Sequence, residues 1–168
     1  NLAALHAAFV TRGELWLVLP LHACGSCADV LSWARPDGFE EPTALLITRE
    51  VSRGLAYLHG HGTLHRHLKG SNVLLDEHGA VRLSDFGLAA ELFIGGERRE
   101  RARSFVGTPA WMAPEVLEQS TGYDAAADVW SLGMTLLELA CGRAPYSGLP
   151  PLKVLIEVLN SPPPQPPH

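Results

Sequence analysis

The stretch His65-Arg66-His67-Leu68-Lys69-Gly70-Ser71-Asn72, followed downstream by Asp85-Phe86-Gly87, decides the reading of this chain. Between the two lie short apolar runs, residues 73–75 and 80–83, around the turn sequence Asp76-Glu77-His78-Gly79, a pattern that predicts a β-hairpin. A hairpin brings its flanks together, so the Asn72 amide and the Asp85 carboxylate are expected to converge. Both supply hard oxygen donors of the kind Mg²⁺ accepts. Lys69 adds a point charge suited to a phosphate. A third pattern, GTPAWMAPE over residues 107–115, follows in the same order. Each pattern alone is weak: Asn72 and Asp85 in isolation read as turn residues, and Lys69 as a surface lysine. Their order and spacing together carry the weight.

Around this centre the chain reads as one domain. Its 168 residues are 46% apolar, enough for a buried core, and 18% charged with a net charge of -5. That balance offers no basic footprint for nucleic acid and no polybasic patch for a membrane. No apolar run approaches the ~20 residues that cross a bilayer. The N-terminal Asn1-Leu2-Ala3 has neither an initiator Met nor a signal-peptide flank and reads as the interior of a longer protein. Three cysteines without framework spacing point to a reducing compartment, with the cytoplasm as the default.

Periodicity supplies the remaining elements. Residues 14–19 (ELWLVL) read as a fully buried strand ended by Pro20. Gly25-Ser26 reads as a loop, residues 29–34 as a short helix, and Pro36-Asp37-Gly38 as a turn. Ile47, Val51, Leu55 and Leu58 recur at helical spacing, with Pro42 in the first turn and Gly60 and Gly62 as closing signals. A second long helix is predicted over residues 126–140, with Val129, Leu132, Leu136 and Leu139 on its apolar face. The charge-dense stretch 91–103 reads as a mobile, solvated loop, and the Pro-rich residues 162–168 as a stiff extended tail outside the core. Two further patterns lead elsewhere and are set aside. Cys24-Gly25-Ser26-Cys27 has the C-x-x-C form of a redox pair without a thioredoxin pattern around it. His59, His61, His65 and His67 invite a zinc reading, but the first two fall in a helix cap.

The three motifs resemble the catalytic loop, the magnesium loop and the end of the activation segment of eukaryotic-type serine/threonine protein kinases. The resemblance continues through DVWSLGMTLLELACGRAPY, residues 128–146. FVGTPAWMAPEV, GYDAAADVWS and PPLKV narrow it to the Fray and oxidative-stress-responsive branch of the sterile-twenty-like kinases. It implies a partial α/β (α+β) kinase fold: residues 1–22 as the last N-lobe strands and hinge, residues 23–161 as a mainly helical C-lobe, then the tail. It implies ATP and Mg²⁺ as cofactors, and a protein substrate or docking partner. Leu19 matches the gatekeeper, and Pro20, Leu21 and His22 the hinge that meets adenine, with Leu74 beneath the ring. His65, Phe86 and Leu5 match an apolar column anchored at Asp128. Ser104 matches the activation-loop phosphosite and Arg66 its partner, while Thr108 matches the threonine held beside Lys69.

Two departures qualify that expectation. The family places its general base, an aspartate, where this chain has His67. An imidazole there is either an inert substitution or a weak base. Positive neighbours disfavour its protonation, and it lacks the carboxylate geometry that holds Lys69 and Thr108. In addition, no G-x-G-x-x-G occurs in the sequence. The Gly-rich loop, the strand lysine and its glutamate partner are expected before Asn1, and the arginine that pairs with Glu115 after residue 168. Three readings stay open: a serine/threonine kinase domain impaired at His67, a pseudokinase acting as a binding module, and a nonfunctional fragment.

Overall fold

Two helices cross at the centre of the chain, and the sequence explains why one of them is the longer. Helix α2, Glu41–Gly60, begins with a proline in its first turn, where the absent N–H costs no hydrogen bond. Ala44, Ile47, Val51, Leu55 and Leu58 form its buried stripe, each no more than 8% exposed. The computed structural model describes residues 1–94, 97–98 and 101–166, with only the backbone of 93, 94, 97 and 98. Within these residues α2 packs against helix α4, Ala126–Cys141, and the sheet β3-β5-β6, and helix α1, Cys27–Trp33, joins the same core through Cys27 and Leu31. That sheet joins Gly25–Ser26, Val73–Leu75 and Val81–Leu83, so Gly25-Ser26 forms a short strand and not the expected loop. Ser26 and Asp29 then form a reciprocal capping box that starts α1.

The hairpin β5–β6 forms as predicted. The Asp76 carboxylate accepts from the backbone N–H groups of His78 (2.9 Å) and Ala80 (2.8 Å), which fixes the turn. Residues 14–19 differ from expectation. Strand β2, Glu14–Val18, pairs only with β1, Ala7–Thr11, through Arg12 and Gly13, both at positive φ. Its side chains are exposed, Trp16 at 51% and Leu17 at 55%. A continuous apolar run is buried only when layers cover both faces, and this hairpin has one neighbouring strand. Phe9 and Trp16 instead pair across it, with parallel rings 6.4 Å apart.

The expected loop 91–103 carries backbone pairing at both ends. Ala90–Glu91 pairs with Thr63–Leu64, and Ala102 bridges Tyr123. Residues 95, 96, 99 and 100 of that stretch lie outside the described residues. Helices α3, Pro114–Glu118, and α5, Pro151–Asn160, lie together beyond it, with Val116, Val154 and Val158 buried. No helix of the described residues is long and apolar enough to cross a membrane.

Helix α4 corrects a second expectation. Leu139 is buried, and Leu132 and Leu136 pack on the core, but Val129 is 59% exposed. The stripe that turns inward includes Asp128, Ser131, Thr135 and Glu138, spaced three, four and three residues apart. Burial of polar groups is tolerated there because each has a partner. Asp128 accepts from the backbone N–H groups of His65 (2.9 Å) and Arg66 (2.8 Å) and pairs with His59 Nε2 (2.8 Å). Ser131 donates to the Trp111 carbonyl at 2.7 Å, Thr135 to the Ser131 carbonyl at 2.8 Å, and Glu138 accepts from Gly70 N–H at 2.8 Å. Beyond the helix, Gly142 turns at φ +72 and Phe39 N–H donates to the Leu139 carbonyl at 2.7 Å. A Cβ on Gly142 would lie 1.9 Å from the Pro36 carbonyl oxygen.

Two stability measurements follow from α4. Gly142→Ala meets both a positive φ and backbone, so denaturant titration is expected to show a loss of roughly 3 kcal/mol. Gly133→Ala, in the same helix with nothing within 4 Å of its new Cβ, is expected to gain up to about 1 kcal/mol. Equal signs for the pair would contradict this packing. Burial pushes the Asp128 carboxyl up, but the hydrogen bonds from His59, Arg66 and His65 outweigh it and hold the group below its ordinary range. A lowered folded pKa stabilises the fold above the unfolded value of about 3.9, and that stabilisation is lost as pH falls through the folded value. Asp128→Asn is therefore expected to cost roughly 3 kcal/mol at pH 7 and progressively less below about pH 4. A gap that stays constant down to low pH would rule out the carboxylate as its source.

Candidate active site

The loop between β4, Thr63–Leu64, and β5 is shaped from behind by α4. Asp128 grips its start at His65 and Arg66, and Glu138 grips Gly70 at its end. Gly70 admits that contact because a Cβ would sit 2.7 Å from the Glu138 carboxylate. Burial raises the Glu138 pKa against the pull of the Gly70 N–H. Arg66 is held at φ +64, which aims its side chain away from the loop toward residues 88–123.

The structure brings together the residues that carry the predicted chemistry. Asn72 Nδ2 donates to the His67 carbonyl (2.7 Å) and to Asp85 Oδ2 (3.2 Å), which turns Asn72 Oδ1 the other way. Asp85 sits at φ 63 and ψ 73 in the left-handed region, with its side chain 44% exposed. Burial works to raise its pKa, yet the hydrogen bonds from His67 and Gly87 N–H bring it below the ordinary value. Asn72 and Asp85 carry oxygens of the type accepted by Mg²⁺, an ion that takes one or two protein oxygens and completes its shell with water and phosphate, but it is the Asn72 amide nitrogen that faces Asp85. His67 occupies the centre. Its Nδ1 lies 2.8 Å from Asp85 Oδ2 and its Nε2 3.1 Å from Thr108 Oγ1. Lys69 Nζ reaches the same Thr108 oxygen at 3.3 Å. The contact to Thr108 expected to be lost with the imidazole is thus kept, and Lys69 meets Thr108 directly.

Behind these groups His65 is fully buried. Its Nε2–H donates to the Ser84 carbonyl at 3.0 Å, its Nδ1 accepts from His67 N–H at 3.2 Å, and Phe86 packs edge-on at 5.5 Å. Burial lowers its pKa. Leu5, expected in the same apolar column, is instead 57% exposed, since it precedes the uncovered β1–β2 hairpin. Leu19 and Leu21 also face solvent, whereas Leu74 on β5 is half-buried. Arg66 Nη1 donates to Ser104 Oγ at 2.7 Å and to the Tyr123 hydroxyl at 3.2 Å. Glu115 makes no ion pair among the described residues.

The two set-aside patterns resolve plainly. Burial pushes the Cys27 thiol up to about 12, and Cys24 and Cys27 are both free. The four histidines part company: His59 meets Asp128, His61 Nδ1 meets the Tyr57 carbonyl at 2.7 Å, and His65 is core. No group of three or more His, Cys, Asp or Glu is placed to hold a metal among the described residues. Sequence reasoning missed His59, Glu138, Ser131 and Tyr123. Only the spacing of Ser131 and Glu138 from Asp128 on one helical face gave any signal.

Comparison with known proteins agrees with this geometry. The chain is 44% identical over 164 residues to serine/threonine-protein kinase fray2 of Dictyostelium discoideum, covering 98% of the chain and 16% of the relative. It is 41% identical over 176 residues to Germinal center kinase 3 of Caenorhabditis elegans, covering 98% and 30%. For serine/threonine-protein kinase ppk11 of Schizosaccharomyces pombe the identity is 42% over 164 residues, covering 98% and 51%. The chain therefore spans about half the length of these relatives or less. The family described as protein kinase domain matches residues 1–159. A match of that extent, over a loop whose Lys69, Asn72 and Asp85 converge with the activation segment, places the chain in the protein kinase family, to which it belongs as a serine/threonine-kinase-like domain.

Proposed function

We propose that this domain serves ATP-dependent phosphoryl transfer to serine or threonine of a protein substrate, and that His67 slows it. The observation that carries the reading is the tie from His67 to Asp85 at 2.8 Å within a set of Lys69, Asn72 and Asp85 that is otherwise of the family's type. Bound Mg²⁺ would neutralise phosphate charge. With its amide turned so that Oδ1 faces Asp85, Asn72 would hold it together with the Asp85 carboxylate, and Lys69 would orient the transferred group. Arg66 would receive a phosphate on Ser104, since its guanidinium already reaches that hydroxyl. Leu19, Leu21 and Leu74 would frame adenine in a cytoplasmic enzyme.

His67 opposes this in two ways. With Nδ1–H donated to Asp85, the Nε2 lone pair faces Thr108, so the atom that would accept a substrate proton is engaged. The same Nδ1 contact and the Asn72 amide also occupy Asp85 Oδ2, which a metal would otherwise use. That second point favours an alternative reading, a pseudokinase that binds partners without turnover.

One experiment separates the two. The 168 residues are joined to the Gly-rich loop, strand lysine and helix glutamate of a fray-type relative, and transfer to a generic serine/threonine substrate is followed. His67→Asp is expected to be faster than the His67 form by at least about 100-fold. Comparable, easily measured rates for the two forms would refute the impairment, and absence of transfer from both would favour the binding module. Metal occupancy gives an independent readout on the chain itself. Losing one hydrogen bond to a charged group frees roughly 1.5 kcal/mol, so His67→Ala is expected to tighten Mn²⁺ binding, read by electron paramagnetic resonance, about tenfold. Unchanged or weaker binding would show that the imidazole does not compete for Asp85.

A further inference from the structure

The turn that follows helix α3 is fastened to residues 101–104 of the activation segment. Ala102 and Tyr123 exchange both backbone hydrogen bonds, at 2.7 and 2.9 Å, and the Tyr123 hydroxyl donates to the Ser104 carbonyl at 2.8 Å. Gly122 lets the two segments close. It sits at φ +73, and a Cβ there would lie 2.7 Å from the Ala102 carbonyl oxygen. Beside this bridge Arg101 Nη1 donates to Thr121 Oγ1 at 3.0 Å and to the Gly122 carbonyl at 3.4 Å. Thr121, Arg101 and Arg103 are all exposed.

We propose that Thr121 is a phosphorylation site and that Arg101 receives its phosphate, locking the turn to the activation segment. The guanidinium is in place but under-used. Its Nε and Nη2 make no hydrogen bond among the described residues, and neither Arg101 nor Arg103 pairs with a carboxylate there. Arg103 flanks the same turn, its Cγ 3.3 Å from where a Cβ on Gly122 would sit. A neutral hydroxyl occupies one N–H of such a fork. A phosphate brings three strong acceptor oxygens and a charge near -2, the partner for which the planar fork is suited.

The acceptor is also reachable. Ser120 and Thr121 lie in a bend between Gln119 at φ 57 and Gly122, outside helix and strand. Ser120 is equally exposed but has no hydrogen bond to either arginine among the described residues, so position and not exposure singles out Thr121. The pair repeats, at one end of the fastened stretch, what Arg66 and Ser104 form at the other at 2.7 Å. Glu118 and Asp124 stand three residues before and after Thr121, so the segment fits a modifying kinase with a basic peptide groove. Asp124 already accepts from the Ala126 N–H at 2.9 Å, at the start of α4, and does not compete for Arg101.

The transfer is made in trans from ATP and does not depend on whether this domain transfers phosphate itself. Thr121 Oγ1 attacks the γ-phosphorus, the bond from that phosphorus to the β,γ-bridging oxygen breaks, and ADP leaves. The hydroxyl proton passes to the catalytic carboxylate of the modifying kinase.

The test incubates the whole chain with an acid-directed protein kinase and Mg-ATP, beside a reaction without that kinase. Mass spectrometry locates the phosphate, and amide hydrogen exchange is followed before and after. Phosphate is expected on Thr121, and the Ala102 and Tyr123 amides are expected to exchange at least about tenfold more slowly, the effect of one hydrogen bond between charged groups. Arg101→Ala is expected to accept the phosphate yet lose the slowing, and Arg101→Lys to keep part of it. Phosphorus NMR gives a reading independent of exchange: the phosphate should take its second charge at a lower pH beside Arg101 than in Arg101→Ala. Incorporation that bypasses Thr121, or exchange that is unchanged or slows equally in Arg101→Ala, would overturn the proposal.

Discussion

The carboxylate of Asp128 is the contact on which the rest of the site depends. It lies 1% exposed and accepts two consecutive backbone N–H groups, those of His65 and Arg66, together with a ring nitrogen of His59. Two adjacent N–H groups converge on one carboxylate only if the backbone turns sharply, and Arg66 at φ +64 supplies that turn. Once the turn is set, the side chains divide. His65 goes inward to Ser84 and Phe86, Arg66 outward to Ser104 and Tyr123, and His67 forward to Asp85 and Thr108. One buried charge thus distributes three successive residues to three tasks. Its cost is met by three hydrogen bonds, which outweigh the burial that works to raise its pKa.

The chemistry at residue 67 follows from what its side chain can offer Asp85. An aspartate there would set a second carboxylate beside Asp85, a pair that repels until a cation lies between them. An imidazole instead meets Asp85 through one ring nitrogen and Thr108 through the other, so it joins the Asp85-Phe86-Gly87 turn to the activation segment without any ion. The site is therefore pre-formed and partly self-satisfied. Lys69 completes the chain of contacts by donating to the Thr108 oxygen that also meets His67. Order in a catalytic loop and readiness to receive a metal are separate properties, and the contacts of His67 with Asp85 and Thr108 bear on the first.

Much of this was legible in the residues. The hairpin 73–83 was readable because turn chemistry and short apolar runs agree, and it fixed the meeting of Asn72 with Asp85. Helix α2 was readable because Ile47, Val51, Leu55 and Leu58 keep helical period. What escaped did so for definable reasons. Val129 and Leu136 look alike in sequence, yet one is exposed and the other packed, since α4 directs its polar side chains inward toward backbone partners that no local pattern reveals. His59 looked like a cap residue because its partner is 69 positions away. Residues 14–19 have the composition of a buried strand, but burial depends on what covers a strand and not on the strand itself. Helix α5 passed unnoticed because its stripe is only Val154 and Val158 behind two prolines.

Helix α4 shows why hydropathy alone misjudges such an element. Its inner face is rich in polar side chains because it supports backbone: Asp128 and Glu138 hold the two ends of one loop, and Ser131 holds Trp111 of the next. A polar face of that kind is stable only if every group is matched, so it tolerates little sliding or rotation of the helix. The opposite face carries Trp130, Met134 and Leu137 and is largely apolar. The two faces of one helix therefore differ in what they impose, and it is the inner one that fixes position to within a hydrogen bond.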